Sequence, residues 1–199
     1  MKHLILTAIL ILAGWTGAAA QPKTVTDYFL AMPAETYATD IDGQKFKDRA
    51  ALTKYRKSLI KIEDVKNGYL KLEGAWEGWS EIALFKRRDG GYLVAETSVG
   101  CGPACVGGLK LSTYTNGKWT DVTKQFQPVF TDAEAFAAYK SKGGDDDEIK
   151  SGADLGSYYL LPRAGRTVKI ACNECGGSGD GEDFVFLEFE WNGDKFVRK

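Results

Sequence analysis

The sequence predicts an α+β fold built mainly from an antiparallel β meander of about 7–9 short strands. Helix signals are confined to positions 24–62 and 131–140, whereas apolar and polar residues alternate with period two through much of the rest. Turn pairs ending in glycine separate the alternating segments. Together these patterns indicate short helices, a β-rich body and one helical insertion.

Two short helices are predicted before the strands. Thr24 begins the first helix, which Pro33 ends. The second runs from about Asp48, a good capping residue, to Ile60. Its apolar positions recur at helical spacing: Leu52, Tyr55 and Leu59.

The predicted strands are joined by hairpin turns. Asparagine–glycine and aspartate–glycine pairs tolerate the positive φ of a type I′ turn, and here they lie at 89–90, 116–117 and 192–193. The strands around them are expected at 69–72, 81–86, 92–97, 109–114, 118–122, 167–171, 184–191 and 195–198.

A helical insertion and an internal echo complete the outline. Thr131 and Glu134 form a capping-box pattern that predicts a helix over 131–140. Residues 92–122 and 166–198 share the order strand, cysteine-containing loop, strand, Asn-Gly turn, strand. This pattern fits a duplicated three-strand unit, but it also fits independent reuse of hairpin chemistry.

The first 20 residues read as a cleavable signal peptide. Lys2 precedes an apolar run, and the three alanines at 18–20 place cleavage before Gln21. The run is shorter than the roughly 20 residues that cross a bilayer. We therefore expect a periplasmic or secreted protein whose positions 21–199 form a single β-rich domain, without membrane insertion.

Charge and histidine content exclude several functions. Without Lys2 the chain has 25 basic and 27 acidic side chains, and this balance is unsuited to nucleic acid. The only histidine, His3, lies in the signal peptide, so His-based triads and metal sites are excluded. No phosphate-binding glycine motif is present. We expect no cofactor.

Four cysteines survive cleavage of the signal peptide. In an oxidising compartment they are expected to form disulfides, with the local pairs Cys101–Cys105 and Cys172–Cys175 favoured over cross-pairing. A structural zinc and a redox pair are the alternatives. Residues 172–179 resemble one repeat of the DnaJ-type chaperone zinc domain, a family that carries four such repeats, and this resemblance would imply zinc.

Acidic residues occur in two further clusters, at 145–148 and 180–183. A calcium site and a solvated loop both fit them.

Aromatic and acidic side chains alternate just before a predicted strand. Trp76 and Trp79 are candidate binding residues, and Glu73, Glu77 and Glu81 are candidate catalytic carboxylates. Aromatic faces beside paired carboxylates are typical of glycan binding and glycoside hydrolysis. Core aromatics at a strand end give the same pattern.

The sequence favours a non-enzymatic function. We expect an exported, disulfide-stapled binding or interaction module with an unknown protein or glycan partner. The alternative is a carboxylate-based hydrolase acting on a glycan or cell-wall polymer.

Overall fold

The structure, a computed structural model, describes residues 21–37, 46–74, 77–102, 105–172, 175 and 183–199. The expected signal peptide lies outside the described residues. These contain four α-helices: α1 (Val25–Ala31), α2 (Arg49–Ser58), α3 (Thr123–Phe126) and α4 (Asp132–Ser141). A 3₁₀ turn spans Gly152–Leu155.

Ten strands are found in the described part of the chain, so the predicted β-rich α+β fold is confirmed. They are β1 (Ile60–Asp64), β2 (Tyr69–Leu72), β3 (Gly78–Lys86), β4 (Tyr92–Cys101), β5 (Cys105–Thr115), β6 (Lys118–Asp121), β7 (Tyr158–Leu160), β8 (Thr167–Cys172), β9 (Phe184–Trp191) and β10 (Phe196–Arg198).

The helices begin at the predicted caps. The Thr24 side chain accepts a hydrogen bond from Asp27 N in a full capping box, and Thr131 does the same with Glu134. The Asp48 carboxylate accepts from Ala51 N at 2.8 Å. Helix α2 ends at Ser58, two residues before the predicted end at Ile60. Ile60 instead begins strand β1, which the sequence pattern did not predict.

The strands form two antiparallel sheets in which sequence neighbours are also spatial neighbours. The first sheet has the order β1-β2-β3-β4-β5-β6, and the second has the order β10-β9-β8-β7. Both residues have positive φ only at the Asn116–Gly117 turn, with φ of 52° and 81°. At the other two predicted turns only Gly90 and Gly193 do.

The first sheet has two apolar faces. Side chains alternate along a strand, so one face carries Ile82 and Val94, and these pack with α1. The opposite face carries Phe85 and Leu93, and these pack against the second sheet. Strands β3 and β4 are therefore buried on both sides along most of their length.

The apolar side chains of the second sheet are shared between two covers. Val168 and Trp191 pack against the first sheet. Ile170, Leu187 and Phe189, farther along the same face, pack with α4. On the opposite face, up to the register irregularity at Ile170 and Ala171, the side chains are polar and at least partly exposed: Thr167, Lys169, Glu188 and Glu190.

The two echoing segments adopt the same topology. Strands β4-β5-β6 and β8-β9-β10 are both antiparallel three-strand meanders. Each is preceded by a paired strand, β3 or β7, so the match extends to four strands. No described helix is long and apolar enough to cross a bilayer.

Trp191 is expected to be a main determinant of stability. It is 0% exposed, and its indole N–H donates to Lys86 O across the two sheets at 2.8 Å. Trp191→Ala should lower the free energy of unfolding by about 3–5 kcal/mol in urea denaturation, because it leaves a cavity. Val129→Ala, at an 82% exposed site, is the control and should change it by less than about 0.5 kcal/mol. Equal effects would contradict this prediction.

Candidate functional site

Two of the predicted carboxylates lie at the surface near the start of β3. Glu73 is placed between two lysines, with its oxygens 3.8 Å from Lys61 Nζ and 3.6 Å from Lys71 Nζ. The Glu77 side chain is exposed, and its carbonyl oxygen accepts from Cys101 N at 3.0 Å.

Glu81 lies between the sheets and connects them. It is only 7% exposed, and its Oε1 accepts from the Tyr69 hydroxyl at 2.7 Å. Its Oε2 accepts from the backbone N of Leu161, next to β7, also at 2.7 Å. Burial raises the pKa of Glu81, as a general acid requires. Both oxygens are nevertheless occupied by protein donors, which is the pattern of a structural carboxylate.

Of the two predicted binding tryptophans, Trp76 lies outside the described residues. Trp79 is half-buried, with its ring 5.6 Å from that of Tyr158 in an edge-to-face arrangement. Lys71 Nζ lies 5.4 Å from the Trp79 ring centre. The indole therefore has protein partners on the inter-sheet side.

The predicted local disulfides are confirmed. Cys101 and Cys105 are directly opposed in the register of β4 and β5, with Cα atoms 4.0 Å apart. Cys172 at the end of β8 bonds to Cys175, with Cα atoms 5.9 Å apart. The four sulfurs are paired, so they offer no thiolates for the zinc or redox alternatives in this state.

A covered pocket on the helix side of the first sheet has the features of a binding site. Its volume is about 210 Å³. Strands β4, β5 and β6 form its floor, and the segment after α1 forms its roof. We call it the roofed pocket; its lining is Met32, Pro33, Thr36, Val94, Glu96, Lys110, Ser112, Trp119 and Asp121.

The roof is held by Arg56 of α2, whose side chain is 0% exposed. The guanidinium donates to the carbonyl oxygens of Met32 at 3.0 Å and Pro33 at 2.6 Å, and also to that of Thr36. A fourth, longer bond reaches Leu30 O at the end of α1, where a cation also complements the helix dipole.

A second attachment joins the roof to the floor. The Trp119 indole N–H donates to Ala31 O at 3.0 Å, which fixes the indole as one wall. Tyr28 of α1 packs edge-to-face on the same ring, with centroids 6.2 Å apart. The pocket is therefore bounded on two sides by anchored groups.

Strand register brings the polar lining together. Glu96 pairs across the strands with Lys110, and Ser112 pairs with Asp121. Burial is the main cause that raises the pKa of Glu96, while the Tyr37 hydroxyl and Lys110 act in the opposite direction. A hydrogen bond from Thr123 N lowers the pKa of Asp121.

The roofed pocket escaped sequence reasoning. Its lining comes from the segment after α1 and from three strands, and no short motif joins them. One signal was available: Glu96, Lys110 and Asp121 are charged residues on the strand face that also carries Val94, Tyr114 and Trp119.

A larger and more open depression lies at the turn between β3 and β4. Its volume is about 410 Å³, and turn residues 87–91 and Gln21 line much of it. Its charged lining residues, Arg87 and Asp89, form an ion pair with each other at 2.8 Å, whereas Glu96 of the roofed pocket forms none among the described residues, so the roofed pocket is the stronger candidate.

Comparison with solved structures supports the fold and assigns no activity. The chain is similar to the structure of a domain of an uncharacterized protein from Porphyromonas gingivalis W83, with a TM-score of 0.53 and 14% sequence identity. The match covers 88% of this chain and 97% of that one. No family model and no curated protein matches the chain.

Glu81→Ala should destabilise the protein, because it leaves the Leu161 N–H and the Tyr69 hydroxyl unpaired in the interior. We expect a loss of about 2–4 kcal/mol in the free energy of unfolding. Glu81→Gln should cost much less, since its amide can serve both partners. An unchanged stability in Glu81→Ala would contradict a structural role, and Glu73→Gln is the exposed control.

The raised pKa of Glu81 also predicts a pH dependence. The folded protein holds this proton more tightly than the unfolded chain, so unfolding releases it. This contribution to stability should therefore increase as the pH falls from the raised pKa toward the usual value of 4.5. When the free energy of unfolding is measured by urea titration at several pH values between about 4 and 8, the Glu81→Gln variant should lack this increase at low pH. Parallel plots of unfolding free energy against pH for the wild type and the variant would contradict a raised pKa of Glu81.

Proposed function

We propose that the chain is an exported binding module without catalytic activity, stapled by two disulfides, whose ligand occupies the roofed pocket. One observation carries the proposal. The buried Arg56 side chain donates to carbonyls of the roof, so the cavity is held open by fixed bonds. A preformed cavity lowers the ordering cost of binding.

The size of the pocket limits the ligand. A volume of about 210 Å³ is smaller than typical drug-sized sites, which start at about 300 Å³. It would hold about seven waters at roughly 30 Å³ each. The ligand is therefore a small molecule, or one residue or sugar substituent of a larger protein or glycan partner.

The hydrolase hypothesis stays a prediction. Among the described residues, Glu73 pairs with lysines, and both oxygens of Glu81 accept hydrogen bonds from protein donors. A panel of glycan and cell-wall substrates tests it directly. Turnover lost in Glu77→Gln or Glu81→Gln would establish the hydrolase and replace the binding module.

Export is tested on protein recovered from cell fractions. We expect the mature chain in the periplasm or medium, with its first residue at Gln21 by N-terminal sequencing. Thiol titration should find no free thiol before reduction and four after it. An intact Met1 terminus in the cytoplasm would contradict export.

Ligand binding is tested by a thermal-shift screen of small molecules and short glycans or peptides. A ligand at a hundredfold excess over its dissociation constant should raise the Tm by about 5–10 °C. Ser112→Phe should abolish the shift, because the ring fills the pocket from its floor. Thr120→Phe places the same ring at an exposed neighbouring site and is the matched control.

Two results would contradict the pocket assignment. A ligand that raises the Tm of the Ser112→Phe variant as much as that of the wild type binds outside the roofed pocket. If the ligand-induced rise in Tm disappears equally in Ser112→Phe and Thr120→Phe, the substitutions disturb strands β5 and β6 in general rather than fill the pocket.

A further inference from the structure

We infer, on the basis of the proposed binding function, that the roofed pocket takes an organic ammonium ion on a short apolar stem. The ammonium group would lie against the Glu96 carboxylate and the stem against Trp119, Met32 and Pro33. The ion comes either as a free amine or as a lysine side chain of a partner.

The charge of the lining favours a cation. Three ionisable side chains line the pocket: the carboxylates of Glu96 and Asp121 and the ammonium of Lys110. Among the lining side chains, two negative groups against one positive group leave one negative charge in excess, and Arg56, which is not part of the lining, has its guanidinium bound to the carbonyls of the roof. A singly charged cation would neutralise it.

The burial of the charged lining side chains also favours a positively charged ligand. Lys110 and Asp121 are exposed, whereas Glu96 is half-buried. Within the described part of the chain, no lysine or arginine nitrogen forms an ion pair with Glu96 within 4.0 Å. The innermost charged group of the pocket is thus a carboxylate with no ion pair within 4.0 Å among the described residues, and a carboxylate in that position gains most from a charged donor.

The apolar part of the pocket suits an alkyl stem and a cation together. Trp119 is fixed by its bond to Ala31 O, so its ring is presented without further ordering. An indole ring attracts a cation placed near its face and also packs against methylene groups. Met32, Pro33 and Val94 complete the apolar surface.

Binding should weaken in acid. Three groups act on Glu96 in addition to its burial: Tyr37 from the roof segment, Lys110 from β5 and Arg56 from α2. Burial dominates and raises the pKa of Glu96, so its carboxylate loses its charge at a higher pH than an exposed glutamate would. Affinity for a cation should fall as the pH drops through this raised value, and Glu96→Gln should remove that dependence.

The experiment compares probes of equal length by two-dimensional NMR on the mature protein. The probes are n-butylammonium, butanoate, butan-1-ol and 4-aminobutanoate, titrated while the Trp119 indole signal is followed. We expect n-butylammonium to bind at least tenfold more tightly than butan-1-ol, and Glu96→Gln to weaken it about tenfold or more. Glu148→Gln, an exposed carboxylate outside the pocket, is the matched control and should bind as the wild type does.

The outcomes separate the ligand class from the binding function. Preference for n-butylammonium that Glu96→Gln abolishes supports the inference. A second titration with an N-acetylated, amidated lysine then identifies the source, since tighter binding than n-butylammonium indicates a partner's side chain. Equal binding of butan-1-ol, or preference for butanoate or 4-aminobutanoate lost in Lys110→Ala, overturns the ammonium assignment and leaves the pocket as a binding site. No perturbation by any probe also overturns the inference, while the thermal-shift screen with Ser112→Phe decides the proposed function by itself.

Discussion

The first sheet is apolar on both faces, and this constraint governs the rest of the structure. A sheet with two apolar faces needs a cover on each, because exposed apolar area costs roughly 25 cal/mol per Å². Helix α1 covers one face and the second sheet covers the other. Each cover is tied by a charged side chain that is itself buried. Arg56 binds the segment after α1, and Glu81 binds the backbone beside β7.

The roofed pocket follows from how the helical cover ends. Helix α1 covers the apolar part of its face, around Ile82 and Val94. Beside Ile82 in the strand register, the face becomes polar at Glu96 and Lys110, and apolar cover there would desolvate charge without compensation. The chain instead crosses this region as a short roof held by its carbonyls, and space remains beneath it. The candidate site is thus the place where the covering of the sheet is interrupted.

Glu81 shows why carboxylates near aromatics were a weak guide to function. In sequence it belongs to a cluster with Glu73, Glu77 and Trp79 that is typical of glycan sites. In the fold, alternation along β3 turns it toward the second sheet, where a donor from a residue 80 positions away meets it. Its nearest partners, Tyr69 and Leu161, are not sequence neighbours. Proximity in sequence therefore said little about which groups share a site.

The sequence by itself determined the local structure. Capping residues such as Thr24, Asp48 and Thr131 set the starts of the helices, and glycine turns set three of the hairpins, because these signals act over a few residues. The short range of each cysteine pair likewise favoured the disulfides that form. Only the tertiary structure decided that Arg56 and Glu81 are buried connectors and that Glu96 faces a pocket. These roles depend on contacts between residues 12 or more positions apart, and the register and the packing of two sheets create those contacts.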